Sequence, residues 1–340
     1  MKLAIHHIEN SFSERWIKYC KENAVEYKIV NCFDNNIIQE LEDCDALLWN
    51  WSLGDYKTRK FAKQLTYSLE KLGKVVFPNS STCWHYDDKV GQKYLLEAIK
   101  APFISTFIFY DKKSALAWAK NTSYPKVFKL STGAGASNVK LINNKEDAYK
   151  LINIAFKYGF SPVNRLVLMQ DKYKLFKRTK TLSSFYTFAK SIGRLFIKTE
   201  LENLSCRESG YVYFQEFIPN NSFDLRIVTA GNKAFGIKRY CRENDFRASG
   251  SGIIDYSKNS IDERCVKISL DISKKLGAQS LAYDFVFDTE NHPLIVEISY
   301  DYTMKAYDKC EGYWDSELKW HSGSINPQQW MIEDVIQDII

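Results

Sequence analysis

Residues 279–301 read QSLAYDFVFDTENHPLIVEISYD, and the fold follows from how this stretch pairs with itself. Two runs rich in β-formers, AYDFVFD and PLIVEIS, flank the polar tetrapeptide TENH, the pattern of an antiparallel hairpin with a four-residue turn. With Thr289–His292 as the turn, Asp288 pairs with Pro293, and Asp284 then stands opposite Glu297 on one face, Cβ atoms about 5 Å apart. Two facing carboxylates repel unless a cation lies between them. A hard ion such as Mg2+, completed by substrate phosphates, suits an oxygen site of this kind. A register shifted by one residue instead turns both acids to water.

The chain of 340 residues is 45% hydrophobic and 26% charged, enough to bury a core divided among two or three domains. No run of about 18 apolar residues occurs, and MKLAIHHIEN lacks the apolar stretch of a signal peptide. A cytoplasmic protein is therefore expected, with peripheral contact to the inner membrane face as an option. Eight cysteines without a CxxC pair argue against a zinc site or a disulfide framework and are expected to be reduced packing residues. The net charge of +6 is concentrated: between Asp171 and Leu204 eight lysines or arginines face three acids. A general nucleic-acid binder is basic over a broad face, so no nucleic-acid partner is expected.

In the first 80 residues strands and helices alternate. KLAIHH, YKIVNC, DALLWNW and KVVFPN read as strands; SFSERWIKYCKEN, with Ser11 or Ser13 as its cap, NNIIQELEDC and YKTRKFAKQLTYSLEKL read as helices. This is a small parallel α/β unit, and no GxGxxG follows its first strand. Trp49 and Trp51 either pack or line a cleft. Residues 125–142, PKVFKLSTGAGASNVKLI, place Lys129 on a strand that enters a loop of small residues and returns as a strand. Backbone N–H groups of such a loop can approach an anion closely, and Lys129, alternating with Phe128 and Leu130, suits a triphosphate; an ordinary flexible turn has the same composition. The basic segment after Asp171 reads as an amphipathic helical or strand-loop insertion, touching phosphate-bearing lipid or substrate, or simply solvated. After the strand YVYFQEFIPN, the runs LRIVTA and KAFGIKRY form a hairpin about Gly231-Asn232. It gathers Asp224, Arg226, Lys238 and Arg239, with Arg247 following in DFRASGSG, cations that suit a polyphosphate. The helix IDERCVKISLDISKKLG, stopped by Gly277, leads back to the first hairpin.

The order of these parts resembles the ATP-grasp superfamily, and within it ligases similar to the ribosomal-protein glutamate ligase and glutathione synthetase types, over about residues 86–301. The resemblance implies an ATP-grasp fold of mixed α/β and α+β class. It implies an N-terminal α/β domain at 1–85, a small subdomain with the glycine-rich loop at 86–170, and a C-terminal subdomain at 171–340 with a basic insertion at 171–210. ATP and Mg2+ are the implied cofactors. Lys89 and Lys129 correspond to the nucleotide lysines, and Ser131–Asn138, with Ser131, Gly133, Gly135 and Ser137, to the phosphate loop. Gln215, Glu216, Phe217 and Ile218 match the adenine-holding hinge. Asp224 and Arg226 match the family's D-x-R, Lys238 and Arg239 its basic pair, and Arg247 the arginine on the transferred phosphoryl group. Asp224 and Lys238 are thereby expected to serve the nucleotide, and Arg226, Arg239 and Arg247 the chemistry. The metal ligands map onto Asp284, Glu297 and Ser299; the family usually has asparagine at the last, so water or Asp301 is expected to help hold a second ion.

The activity implied is ATP-dependent ligation of a small-molecule carboxylate to an amine through an acyl phosphate. The tail KCEGYWDSELKWHSGSINPQQWMIEDVI, with Trp314, Trp320, His321 and Trp330, resembles tails of bacterial ATP-grasp proteins of surface-polysaccharide pathways. That likeness suggests a uronic acid, on a lipid-linked sugar at the membrane surface, as the carboxylate. The alternatives are a ligase for a peptide or protein carboxyl group, or an ATP-binding module that has lost its chemistry, for which Ser299 is the hint. A homo-oligomer is compatible with either.

Overall fold

Four short apolar runs build the N-terminal sheet: β1 (Leu3–His6), β2 (Tyr27–Val30), β3 (Ala46–Leu48) and β4 (Val75–Phe77). In this computed structural model, which describes all residues except 54, 133–137, 162–164, 198–206, 243–245 and 249, they are parallel in the order β2-β1-β3-β4. β1 and β3 are buried at every position, as strands covered on both faces must be. The covering helices are α1 (Ser13–Glu22), α2 (Ile37–Glu40), α3 (Tyr56–Lys71) and α4 (Ser80–Cys83). The helix expected over NNIIQELEDC is only the single turn α2. Neither expected serine caps α1: Phe12 holds the cap position, while Ser11 Oγ donates to the Ile8 carbonyl and Ser13 Oγ accepts from the Ile8 N–H. The serines fasten the preceding loop instead.

Helix α5 (Lys89–Ala98) leads into a second, antiparallel sheet of β5 (Thr106–Phe109), β6 (Lys126–Lys129), β7 (Lys140–Ile142) and β8 (Val212–Glu216), ordered β5-β8-β6-β7. Helices α6 (Lys112–Asn121) and α7 (Lys145–Lys157) bury Ala115, Ala119, Leu151 and Ile152 against Phe128 and Phe214 of this sheet. β8 pairs with β5 and β6, so the sheet is completed from beyond the division expected at residue 170. Between β7 and β8 the basic insertion contains a helical hairpin, α8 (Arg165–Thr179) and α9 (Leu182–Gly193). Ring contacts of Tyr173 and Phe176 with Phe185 and Phe188 hold the pair together.

The C-terminal sheet runs β13-β12-β9-β10-β14-β15, with β11 on β10. Its strands are β9 (Phe223–Ala230), β10 (Lys233–Tyr240), β11 (Ile254–Asp255), β12 (Ser280–Phe287), β13 (Pro293–Ser299), β14 (Gly312–Trp314) and β15 (Trp320–Ser322). Helix α10 (Glu263–Leu276) covers one face, packing Cys265, Val266 and Ile272 near Leu225, Ile227 and Tyr283. It ends at Gly277, whose φ of +62° makes the left-handed stop. Helix α11 (Pro327–Ile339) covers part of the other face and joins it to the N-terminal sheet, Trp330, Met331 and Val335 sharing a core with Val228, Phe235, Leu3 and Phe77. The aromatic tail packs: Trp314 meets Trp320 at 4.5 Å and Tyr313 stacks on His321 at 4.9 Å.

The hairpin of residues 280–299 pairs Asp284 with Glu297, by a different route from the one expected. The connection is longer by a residue, Phe287 pairing with Pro293 and Asp288 N–H closing onto the His292 carbonyl at 3.1 Å. A bulge between Asp284 and Phe285 then passes over Val296 and brings Glu297 back opposite Asp284.

Candidate active site

A cavity of about 1220 Å³ opens between the N-terminal unit and the two antiparallel sheets. Typical small-molecule sites fall between roughly 300 and 1,000 Å³, so a nucleotide and a second substrate can share this one. Its C-terminal wall comes from strand alternation. Asp284 pairs with Arg226 and Asp224 with Arg239 across β12, β9 and β10, so all four side chains lie on one face. Arg226 forks Asp284 through Nε at 2.5 Å and Nη2 at 2.6 Å. Arg239 forks Asp224 at 2.7 and 2.6 Å and reaches Asp284 Oδ1 at 3.0 Å. Burial works against the Asp284 carboxylate, yet the two guanidiniums outweigh it and hold the group well below the usual carboxylate range.

Glu297, across the hairpin, lies 3.2 Å from Lys89 Nζ, which is also 3.8 Å from Asp87. Burial opposes charge on Lys89, but Glu297 and Asp87 raise it above the ordinary lysine value. The repulsion expected between Asp284 and Glu297 is thus offset by the protein's own cations. Lys129 differs. Its Nζ donates to Gln215 Oε1 at 2.6 Å, and no described carboxylate makes an ion pair with it. Burial, with Lys89 nearby, pushes it down to about 8, Glu297 opposing. A buried lysine held by a neutral amide is suited to receive an anion.

The entry of the small-residue loop is tied to the start of α5. Asp88, the cap of α5, accepts from Gly91 N–H at 3.0 Å and from Ser131 Oγ at 2.8 Å, while Lys89 N–H donates to the Ser131 carbonyl at 2.9 Å. A Cβ at Gly91 would lie 2.8 Å from an Asp88 carboxylate oxygen, so a larger residue there would displace the capping carboxylate. Ser131 N–H also meets Glu208 Oε2 at 3.1 Å and Tyr211 OH at 2.6 Å. Gly133, Gly135 and Ser137 lie outside the described residues. In the stretch expected to hold adenine, buried Gln215 holds Lys129, Glu216 pairs with Lys126 at 2.8 Å, and Phe217 and Ile218 line the cavity. Arg247 lines it too.

Lys238 is not brought to this wall. Adjacent to Arg239 on β10, it faces the opposite side, with its ammonium 3.8 Å from the Phe223 ring centre. Arg239 sits behind Arg226 as a buttress of the two aspartates. The residues that sequence spacing does not single out are Glu208 and Tyr211 at the loop entry, and Asn50 and Tyr86 on the N-terminal wall. Each is joined to the site by long-range folding, with no motif around it.

Among the described residues no group of three or more carboxylate, imidazole or thiolate ligands gathers to hold a metal. The donor set that is present, the Asp284 and Glu297 carboxylates with the nearby Ser299 hydroxyl on β13, fits Mg2+ completed by phosphate oxygens and water. Ser299 Oγ donates to the Asp301 carbonyl at 2.9 Å, leaving its lone pairs for a metal or water.

Residues 198–313 match the RimK-like ATP-grasp domain family. The chain is 21% identical over 235 residues to the α-aminoadipate–LysW ligase LysX of Saccharolobus solfataricus, covering 69% of this chain and 68% of the relative. A RimK domain ATP-grasp protein from Sphaerobacter thermophilus superposes with a TM-score of 0.55 at 15% identity, over 99% of this chain and 100% of that one. D-alanine–D-alanine ligase of Bacillus anthracis, in complex with ATP, superposes with a TM-score of 0.56 at 13% identity, over 100% of this chain and 98% of that one. With three sheets in this arrangement and residues 198–313 matching a RimK-like ATP-grasp domain, the chain has the ATP-grasp fold.

Proposed function

We propose that this protein is an ATP-dependent carboxylate–amine ligase. The observation that carries the reading is the convergence, in one cavity, of Lys89, Lys129, Arg226 and Arg247 with the Asp284–Glu297 pair and the Gln215–Ile218 hinge. The hinge receives the adenine, and Lys129, Lys89 and the loop from Ser131 hold the phosphates. Mg2+ on Asp284, Glu297 and Ser299 supplies neutralisation of phosphate charge. A substrate carboxylate oxygen attacks the γ-phosphorus, the bond to the β,γ-bridging oxygen breaks, and ADP leaves an acyl phosphate. Arg247 and Arg226 hold that anhydride. An amine then attacks the acyl carbon and the C–O bond to phosphate breaks. Of the two protons lost by the ammonium, one ends on phosphate and the other in solvent. Positioning and charge stabilisation suffice, and no covalent enzyme intermediate is needed. The test is ADP release against a panel of carboxylates and amines. Release that requires one member of each supports the ligase; ADP formation indifferent to both, or none at all despite nucleotide binding, counts against it.

For the carboxylate, we propose a uronic acid of a surface-polysaccharide precursor on a lipid carrier, with the α8–α9 hairpin resting on the anionic membrane. Leu168 of α8 lines the cavity and Arg178 donates to the Ser251 carbonyl at 2.6 Å, so the hairpin adjoins the substrate opening. Residues 165–197 carry eight cations and one acid, beside Leu182, Tyr186, Phe196 and Ile197, all largely exposed. Each cation near an anionic leaflet contributes about 1 kcal/mol, and the apolar side chains suit the headgroup boundary. Flotation with vesicles of phosphatidylcholine and phosphatidylglycerol is expected for the native protein. It should be lost on replacing Lys172, Lys174, Lys177 and Lys180 by Glu; equal flotation of both proteins excludes the hairpin.

A further inference from the structure

The cavity is electrically divided. Its sheet-facing half carries the lysines and arginines described above, whereas its far end is walled by the N-terminal unit and by the turn after β13. There Asp301 stands out. Its carboxylate accepts from Asn50 Nδ2 at 3.2 Å and from Tyr86 OH at 2.9 Å, and also from the Ser52 side chain and the Tyr302 backbone, all of them neutral donors. The other carboxylates of the wall that are not exposed have a cationic partner: Asp284 has Arg226, Asp224 has Arg239, Glu297 and Asp87 share Lys89, and Glu216 has Lys126, while Glu9 is exposed to solvent. No described lysine or arginine makes an ion pair with Asp301. Arg59, on the same wall, turns its Nε to the Leu53 carbonyl at 2.5 Å.

Tyr86 is itself fixed, its ring packed edge-on against Tyr300 at 4.7 Å and Trp51 at 5.5 Å. The aromatic pair Phe12 and Tyr302, 5.0 Å apart, lines the same end. A partly buried carboxylate without a counter-charge costs free energy that a bound cation recovers, and aromatic surface beside it favours an organic cation over a hydrated ion. These donors orient the carboxylate but carry no charge, so a counter-charge is left for a bound cation to supply.

We propose that Asp301, oriented by Asn50 and Tyr86, is the subsite for the protonated primary amine that becomes the nucleophile. The inference rests on the ligase reading for the fate of that amine, though not for its binding. It places the amine on the N-terminal wall and the nucleotide on the opposite one, with the acyl group between them.

The experiment has two arms on the full chain. In the first, calorimetry with ADP and Mg2+ present measures binding of ethanolamine, L-alanine and L-lysine to the native protein and to Asp301→Asn and Tyr86→Phe. At least one amine is expected to bind the native protein. Its affinity should fall on the order of a hundredfold in Asp301→Asn, and less in Tyr86→Phe. Absence of binding by all three amines, or equal affinity in Asp301→Asn, overturns the proposal whether or not the protein is a ligase. In the second, ATP, Mg2+ and a carboxylate panel are supplied with hydroxylamine, a neutral nucleophile that traps acyl phosphates without an ammonium subsite. Asp301→Asn should lower amide formation from the bound amine at least about tenfold more than it lowers hydroxamate formation, with KM for that amine rising as its affinity falls. A parallel loss of hydroxamate and a raised Mg2+ requirement would instead assign Asp301 to the metal. No hydroxamate from any carboxylate would refute the ligase reading and leave the first arm to decide the subsite.

Discussion

Lys129 is a lysine whose surroundings decide its charge. Burial lowers it from 10.5 to about 8, so above that value the ligand-free protein loses the ammonium that a triphosphate needs. The folded value lies below the unfolded one, so between about 8 and 10.5 the unfolded chain holds more protons, and this group's share of stability rises with pH across that window. ATP, in contrast, favours the ammonium. Binding near pH 8.5 is expected to take up protons, seen by calorimetry in buffers of different ionisation heat; near pH 6.5 it should take up almost none, and Lys129→Met should abolish the difference. Glu297→Gln removes a carboxylate facing Asp284 and the counter-charge of Lys89, and ADP formation should fall at least about a hundredfold; an unchanged rate would remove Glu297 from the proposed metal site. At this scale the residue types with charge or periodicity were legible: Asp284, Glu297, Lys129 and the hinge stand where alternation and motif put them. Lys238 departs because neighbours on a strand cannot share a face, a rule that applies to Lys238 and Arg239 directly. Glu208 was invisible because its contact with Ser131 arises from the long-range bridge between Phe160 and Glu208.

Helices and strands were mostly legible, and the departures have local causes. The Gly231-Asn232 turn joins β9 to β10 as expected, whereas the bulge at Val296 leaves no compositional mark. The basic insertion reads ambiguously between helix and strand, yet Tyr173 and Phe176, like Phe185 and Phe188, are three apart, one helical turn, and these rings seal α8 against α9. Gly277 ends α10 with open space around it, so Gly277→Ala should cost only backbone strain, about 1 kcal/mol in chemical denaturation, without altering nucleotide affinity. On α11, burial raises Asp334 to about 6, Lys233 opposing. The folded state therefore keeps this proton at pH values where the unfolded chain has lost it, and the stabilisation present below about 4 disappears as pH rises through 6. Asp334→Asn is expected to raise Tm near pH 7.5 and to raise it markedly less near pH 4.5 in thermal scans; equal effects at both would mean that the carboxyl is not the source.

For the whole molecule, the site depends on three sheets held around one cavity. α11 and the core that it shares with the N-terminal sheet fix one wall; β8, returning from beyond the insertion, fixes the hinge on another. The N-terminal wall, with Asn50 and Tyr86 about Asp301, was not legible, because residues so distant in sequence meet only through this packing. Ligand linkage provides a test at this scale. ATP with Mg2+ at a hundredfold excess over Kd should stabilise the fold by about 2.7 kcal/mol, and chelating the metal should remove most of that gain in thermal scans. The most direct measurement follows oxygen. A carboxylate that supports ADP release is labelled with heavy oxygen, ligated to its amine, and the inorganic phosphate is examined by phosphorus NMR. Acyl-phosphate chemistry transfers one labelled oxygen to each phosphate; unlabelled phosphate formed alongside amide would contradict it.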